Sequence, residues 1–193
     1  MKFPDFVIIG APKCGTTALW FNLDKHPEIQ MAQKAPNSIE MHFWGYKFWD
    51  KGFGWYKEKF GNKLSGEKSV DYYINRKSMR LMKQHIPDVK LILCVRNPAD
   101  RAYSNFQMHM RAKKQSTFSF ELFKKQYARK GKYYTHIREK VLEFFPPEQL
   151  YVCVAEHMKK NTSNEMDKIF EYLGAKEFHL PTKIVSGNRR DES

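Results

Sequence analysis

The residues that most constrain the fold are Phe6–Leu19, which read FVIIGAPKCGTTAL. The apolar run Phe6–Ile9 is typical of a buried strand, Gly10 ends it, and Thr16 opens a helical stretch. The loop therefore joins a strand to a helix N-terminus, where backbone N–H groups and the positive end of the helix dipole converge. Lys13 adds a full positive charge to this loop. The sequence predicts an anion site here, suited to a phosphate-bearing nucleotide.

The spacing of this loop differs from that of a kinase loop. A Walker A loop, G-x-x-x-x-G-K-[ST], places its lysine directly after the second glycine. Here Thr16 follows Gly15, and the loop lysine stands two residues before the glycine. A nucleotide kinase would also end an apolar strand in an aspartate that holds magnesium, whereas the strand predicted over Val89–Val95 is followed by Arg96. These departures indicate phosphate recognition without a metal ion, and a nucleotide kinase is the alternative enzyme.

Six short motifs occur in one order along roughly residues 5 to 155. They read PKCGTTAL, EMHFW, GFGWY, EKS, RNPADRAYS and FFP, and they start at Pro12, Glu40, Gly52, Glu67, Arg96 and Phe144. The first and fifth resemble the 5′-phosphosulfate loop and the 3′-phosphate motif of sulfotransferases that use 3′-phosphoadenosine 5′-phosphosulfate (PAPS). The other four resemble the heparan sulfate (glycosaminoglycan) branch of that family. The resemblance implies transfer of a sulfonate from PAPS to a hydroxyl or amine of an acceptor, with 3′-phosphoadenosine 5′-phosphate (PAP) as product and no metal.

The resemblance also assigns residues to the donor. Lys13 would stabilise the charge that develops on the leaving phosphate oxygen, and Gly15 would let the backbone approach the phosphate closely. Arg96 and Ser104 would bind the 3′-phosphate, a group that an arginine contacts well. The donor-binding residues expected from the motifs are Lys13, Cys14, Gly15, Thr16, Thr17, Ala18, Arg96, Ser104 and, in the C-terminal tail, Arg189.

Three further residues join Lys13 as candidates for the catalytic chemistry. Glu40 matches the family's proposed catalytic glutamate and would remove the proton of the attacking acceptor. His42 would project to the same side as Glu40 in an extended segment, where it orients Glu40, contacts the acceptor or is structural. Lys68 matches a family lysine near the transferred sulfonate. Cys14 is not expected to act as a nucleophile, because the transfer needs no covalent intermediate.

The composition is that of a basic globular chain. Its 193 residues are 41% hydrophobic and carry 34 Lys and Arg against 21 Asp and Glu, a net charge of +13. This excess favours a polyanionic partner or is simply a solvated basic surface. A non-catalytic polyanion-binding protein on the same fold is therefore a second alternative. We expect a nucleotide donor and a carbohydrate or small-molecule acceptor as partners, with no nucleic acid and no membrane span; the oligomeric state is not predicted.

The order of elements indicates one α/β domain over residues 1–193, with a P-loop-like central parallel β-sheet flanked by helices. Strands or extended segments are predicted over 6–9, 67–72, 89–95 and 150–154. Helices are predicted over 16–25, 55–60, 78–85, 98–113, 118–130, 133–145 and 162–173, the last opening at a capping box of Thr162 and Glu165. The tail from about 181 to 193 is expected to be flexible or to form a partial lid.

The cysteines bear on the compartment. Cys14, Cys94 and Cys153 cannot all pair, and they lie in or beside the loop and the predicted strands. That placement suits buried reduced thiols better than a disulfide framework, and no Cys or His spacing suggests zinc. The sequence therefore predicts a cytoplasmic protein, with a trimmed Golgi-lumenal catalytic domain as the alternative.

Overall fold

A parallel β-sheet organises the chain. The computed structural model describes residues 1–35, 38–113, 121, 124 and 129–180. The strands are β1 (Phe6–Gly10), β2 (Ile29–Met31), β3 (Leu64–Lys68), β4 (Lys90–Val95) and β5 (Leu150–Val154). They form one sheet in the order β2-β3-β1-β4-β5, and every pairing is parallel. This arrangement confirms the predicted α/β fold with a central parallel sheet.

Helices follow the strands along the chain. They are α1 (Thr16–Asp24), α2 (Gly52–Lys57), α3 (Arg76–His85), α4 (Pro98–Lys113), α5 (Tyr133–His136), α6 (Ala155–Lys160) and α7 (Thr162–Leu173). Helix α5 continues directly into a π-helical stretch, Ile137–Val141. Because parallel strands need crossover connections, the helices cover the sheet and leave its carboxyl edge to the loops.

Several predicted bounds are confirmed, and others need correction. The predicted α4, β5 and α7 have the observed bounds. Strand β3 begins earlier than the extended segment predicted over 67–72, which ends in a 3₁₀ turn at Tyr72–Ile74. The helix predicted over 133–145 gives way to the π-helical stretch, and β2 and α6 were not predicted at all. The helix predicted over 118–130 lies largely outside the described residues, as does the tail over 181–193.

The capping box predicted for α7 is wrong. Asn161 caps this helix, and its side chain accepts the N–H of Asn164 at 3.2 Å. The Thr162 hydroxyl instead donates to the Met158 carbonyl at 2.7 Å. Glu165 is buried and accepts a hydrogen bond from the Tyr151 hydroxyl at 3.0 Å. The N-cap is Asn161 and not Thr162, so Glu165 stands one position later in the helix than a capping box requires. Its side chain faces the core there and packs against β5.

The central strand β1 fixes the position of the loop that follows it. Every residue from Phe6 to Ile9 is fully buried, between β3 on one side and β4 on the other. Since all strands are parallel, β1 ends at Gly10 on the same edge of the sheet as Lys68 and Val95. The loops that leave these three strand ends therefore meet.

Two further observations concern the cysteines and the apolar content of the helices. Cys14, Cys94 and Cys153 are all buried and none forms a disulfide, which confirms the prediction of buried free thiols. Within the described parts of the chain, none of the helices combines the length and the apolar content that a bilayer crossing requires.

Candidate active site at the carboxyl edge of the sheet

A cleft of about 780 Å³ opens where the strands end. Its walls come from the loop after β1, the end of β3, the residue after β4, and helices α4 and α6. In open α/β sheets this edge is where ligands bind. The cleft brings together most of the residues expected from the sequence: Lys13, Cys14, Gly15, Thr16, Thr17, Ala18, Glu40, Lys68, Arg96 and Ser104. His42 contacts Glu40, and Arg189 lies outside the described residues.

The loop after β1 presents an uncapped helix N-terminus to the cleft. Gly15 is the N-cap of α1, at a left-handed φ of 83°, and no side chain caps this end. The first N–H groups of a helix have no partner within the helix, so those of Thr16, Thr17 and Ala18 are available to a ligand. A Cβ placed on Gly15 would meet no atom within 4 Å, so the space in front of the loop is open. This geometry fits a phosphate or sulfate group.

Lys13 extends from the same loop toward α4. Its backbone is also left-handed, with φ at 69°, and its Nζ lies 3.7 Å from the Met108 sulfur. Burial lowers the pKa of the Lys13 ammonium, and the positive charges of Arg111 and Arg96 lower it further. Several cations that repel one another across a cleft are stabilised by an anion bound between them. The surroundings of Lys13 therefore favour a highly charged anionic ligand.

Lys68 and Glu40 form an ion pair at the end of β3. The Lys68 Nζ lies 3.0 Å from Glu40 Oε1 and 3.4 Å from the Thr17 hydroxyl. Lys68 is 2% exposed, whereas Glu40 is 27% exposed. Burial opposes ionisation of Glu40, but the hydrogen bonds from His42 and Lys68 and the positive charge of Lys68 outweigh it and lower the pKa of Glu40 to about 2. Glu40 is therefore an ionised carboxylate that can accept a proton from a group in the cleft.

His42 lies behind Glu40. Its Nε2 is 3.1 Å from Glu40 Oε2, so the two carboxylate oxygens of Glu40 contact different side chains. The segment is not extended at this point, because His42 has a left-handed φ of 47°. This turn still leaves the imidazole beside Glu40, within hydrogen-bond distance of its carboxylate.

The residues after β4 form the far end of the cleft. The Asn97 side chain caps α4 by accepting the N–H groups of Ala99 at 3.0 Å and Asp100 at 3.3 Å. The Asn97 N–H itself donates to Glu156 Oε1 at 2.9 Å, which joins the start of α4 to α6. These contacts fix the backbone next to Arg96, whose side chain lines the cleft with Ser104.

Cys14 is the loop residue least suited to chemistry. The residue is 2% exposed, and its sulfur lies 3.3 Å from the Tyr133 hydroxyl. Burial raises the pKa of the thiol to about 11, against the opposing effects of Tyr133 and nearby arginines. The thiol is therefore protonated at neutral pH, and Cys14 could contact a ligand only through its backbone.

Some residues of the cleft were not found from the sequence. Asp100, Met108, Glu156 and Lys159 also line it. Asp100 and Met108 lie on α4 at helical spacing from Ser104, a signal that could have identified them. Glu156 and Lys159 belong to α6, which was not predicted. Among the described residues, no cluster of three or more His, Cys, Asp and Glu side chains could hold a metal ion.

Comparison with known proteins identifies the family. The sulfotransferase domain profile matches residues 3–186. The bifunctional heparan sulfate N-deacetylase/N-sulfotransferase 1 of Caenorhabditis briggsae is 30% identical over 205 residues, which cover 95% of this chain and 24% of the relative. The corresponding enzyme 3 of Mus musculus is 30% identical over 90% of this chain and 22% of its own length. The chain thus spans only 24% and 22% of the length of these two curated relatives.

Solved structures agree in fold. The sulfotransferase from Alicyclobacillus acidocaldarius superposes with a TM-score of 0.75 at 25% identity, over 95% of this chain and 86% of that one. The mouse sulfotransferase SULT7A1 complexed with PAP has the same fold, with a TM-score of 0.63 at 21% identity over 91% of this chain and 59% of its own. The profile match over residues 3–186 shows that this chain belongs to the sulfotransferase domain family.

Proposed function

We propose that this protein is a PAPS-dependent sulfotransferase that transfers a sulfonate to a hydroxyl or amine of a carbohydrate acceptor. The position of Lys68 carries the proposal, because its ammonium lies 3.0 Å from Glu40 Oε1 and 3.4 Å from the Thr17 hydroxyl. A carboxylate base, a cation and the phosphate loop thus meet at one point of the cleft. Sulfonate transfer needs all three, since the acceptor loses a proton while charge develops on the leaving phosphate.

The donor half of the cleft suits the two phosphate groups of PAPS. The open N-terminus of α1 and the hydroxyls of Thr16 and Thr17 would hold the 5′-phosphosulfate. Arg96 and Ser104 would hold the 3′-phosphate at the other end. PAPS supplies a sulfonate on a phosphate leaving group, and the PAP in the mouse sulfotransferase structure supports this choice of nucleotide.

Each remaining side chain has one task in the transfer. Lys13 stabilises the negative charge on the leaving phosphate oxygen, and Lys68 neutralises the group that is being transferred. Glu40 takes the proton of the acceptor as the acceptor attacks. His42 holds the second carboxylate oxygen at 3.1 Å, so the base keeps one orientation.

The acceptor class rests on the relatives and on charge. Two relatives at 30% identity are named heparan sulfate N-deacetylase/N-sulfotransferases, and their names specify a carbohydrate acceptor. The net charge of +13 complements an acidic polysaccharide. These observations favour a carbohydrate over a small phenol.

The donor is tested by binding. Calorimetry compares PAP, AMP and ATP–magnesium on the wild type, on Arg96→Ala and on Arg80→Ala, a control at an exposed arginine of α3. We expect PAP to bind best, Arg96→Ala to weaken PAP by about 10- to 100-fold without affecting AMP, and the control to bind PAP normally. Equal affinity for PAP and AMP, or preference for ATP–magnesium, would overturn the donor assignment.

The reaction is tested with labelled PAPS. The acceptors are heparosan with free amines, its N-acetylated form and a small phenol. We expect label in one or both polysaccharides, and the difference between them separates transfer to an amine from transfer to a hydroxyl. Label in the phenol alone would refute the carbohydrate acceptor while leaving PAPS in place.

A further inference from the structure

A buried carboxylate next to the site takes no part in the chemistry proposed above. Glu67 lies in β3, in register with Val7 of the central strand, and is fully buried. Successive side chains of a strand point to opposite faces, so Glu67 points away from the side that Lys68 presents to Glu40. A carboxylate in such a place costs stability unless hydrogen bonds satisfy it, which makes its partners informative.

Three hydroxyl groups surround the Glu67 carboxylate. The Tyr56 hydroxyl donates to Oε1 at 2.6 Å, and the Tyr72 hydroxyl donates to the same oxygen at 3.3 Å. The Ser69 Oγ lies 2.9 Å from Oε2 and also 2.9 Å from the Lys68 carbonyl oxygen. Glu67 is thus the shared acceptor of a small buried hydroxyl cluster.

The same hydroxyls accept N–H groups from three consecutive residues, which we call the 42–44 segment. The His42 N–H donates to Ser69 Oγ at 2.9 Å. The Phe43 and Trp44 N–H groups both donate to the Tyr72 oxygen, at 2.7 Å and 3.1 Å. The backbone of the 42–44 segment is therefore held by hydroxyls that Glu67 in turn holds.

The direction of these hydrogen bonds requires an acceptor at the position of Glu67. A tyrosine hydroxyl has one proton, and the Tyr72 oxygen already accepts two N–H groups. The Tyr56 oxygen likewise accepts the indole N–H of Trp44 at 2.9 Å. Both phenolic protons therefore point at Glu67 Oε1. An apolar side chain there would leave two buried donors unsatisfied, and a network that is partly satisfied loses its unique arrangement.

The 42–44 segment decides where Glu40 and His42 lie. Glu40 precedes the segment by two residues, and the Met41 N–H between them donates to the Lys68 carbonyl at 3.1 Å. His42 keeps a left-handed φ of 47°, a conformation that a non-glycine residue holds only when its surroundings impose it. A shift of this segment would move the Glu40 carboxylate relative to the donor.

We propose that Glu67 is a positioning residue, which orients the Ser69, Tyr56 and Tyr72 hydroxyls so that the 42–44 segment holds Glu40 and His42 at the cleft. This inference rests on the proposed function, in which Glu40 is the base. Glu67 acts through the hydroxyls and touches no substrate. It needs an acceptor oxygen and not a negative charge, so Glu67→Gln keeps its role and Glu67→Leu loses it.

The test separates turnover from donor binding. Tyr72→Phe and Glu67→Leu should lower kcat by about tenfold or more, because a small misplacement of a base is costly, while the Kd for PAP stays within about threefold. Glu67→Gln should restore most of the kcat that Glu67→Leu loses. Amide hydrogen exchange over the 42–44 segment should become faster in the two damaging variants. If Glu67→Leu does not fold, Tyr72→Phe alone decides, since it removes one hydroxyl and keeps the ring.

A matched pair at the opposite edge of the sheet, where Tyr151 lies in β5, provides the control. Glu165 is also buried and accepts a hydrogen bond from the Tyr151 hydroxyl at 3.0 Å. Tyr151→Phe and Glu165→Leu should leave kcat and the exchange of the 42–44 segment unchanged. Unchanged kcat in Tyr72→Phe, or an equal loss in Tyr151→Phe, would overturn the proposal. No turnover in the wild type would instead refute the proposed function, and the exchange rates would then decide whether Glu67 holds the segment.

Discussion

The Lys68 ammonium lies 3.0 Å from Glu40 Oε1 although the lysine is only 2% exposed, and it reaches the Thr17 hydroxyl at 3.4 Å on its other side. One buried cation thus contacts both the proposed acceptor base and the segment proposed to hold the donor. A phosphosulfate bound at that loop competes with Glu40 for the ammonium. We expect donor binding to draw Lys68 away and to make Glu40 a stronger base at the moment when a base is needed.

Lys68→Met tests this coupling through the pH dependence of the rate. With its pKa at about 2, Glu40 stays ionised across the neutral range, so the acid limb of kcat/KM in the wild type lies well below neutral pH. Burial raises the pKa of Glu40, and Lys68 is one of the groups that oppose this effect. Without the Lys68 cation the pKa of Glu40 should therefore rise. The acid limb should move to higher pH, and kcat should fall. Lys63→Met, at an exposed lysine just before β3, is the control, and an unmoved acid limb in Lys68→Met would contradict the coupling.

Glu40→Gln tests the base itself. The variant keeps the size of the side chain and loses the ability to accept a proton, so kcat should fall by about 10²- to 10⁴-fold. The affinity for PAP should change little, because Glu40 is proposed to act on the acceptor and not on the donor. Glu58→Gln, at an exposed glutamate after α2, should behave as the wild type. A Glu40→Gln enzyme with near-normal kcat would assign the base to another group.

The pH dependence of stability provides a test of Glu67. Burial raises the pKa of Glu67 from 4.5 to about 7, although the hydroxyls of Tyr56, Ser69 and Tyr72 oppose the shift. The folded state therefore binds more protons than the unfolded state within this window, so the free energy of unfolding falls as pH rises through it. Glu67→Gln lacks this titration, so the Tm of the variant minus that of the wild type should increase as pH rises from about 5 to 8. A constant difference in Tm would show that Glu67 ionises normally.

Two glycines should respond in opposite ways to alanine. A Cβ on Gly66 would lie 2.2 Å from ring atoms of Phe6, inside the sheet, whereas one on Gly54 in α2 would meet nothing within 4 Å. Gly66→Ala should lower the free energy of unfolding by about 1–3 kcal/mol, a loss of several degrees in Tm. Gly54→Ala should raise it by about 0.5–1 kcal/mol, because alanine suits a helix better. Thermal unfolding of both variants checks the signs, and a Gly66→Ala protein as stable as the wild type would refute the close contact.

The phosphate loop was the most predictable part of the site. A strand, a glycine-bounded turn and a helix start are local features, and Gly10, Lys13 and Gly15 mark them in the sequence, as Arg96 marks the end of β4. Their meeting in one cleft follows from parallel strands ending at a common edge. The family resemblance added Glu40 and Lys68, which no local pattern brings together.

The parts that were missed depend on contacts between distant segments. Strand β2 has only three residues, and its pairing with β3 rather than its own composition makes it a strand. The left-handed turn at His42 is accompanied by a hydrogen bond from its N–H to Ser69, 27 residues away. Glu67 stands beside Lys68 in the sequence, and only the folded chain reveals that three hydroxyls surround its carboxylate.

The sheet order has a consequence for how such enzymes diversify. Strands β1 and β4, which lead into the phosphate loop and Arg96, are interior strands with a neighbour on each side. Glu40 instead bridges to Lys68 along the line of the edge strand β2, after a connection that begins at Ala32. Insertions in that connection would leave the interior pairings intact. Changes at this edge of the sheet can therefore remodel the proposed acceptor side without disturbing the central strands that lead into the proposed nucleotide site.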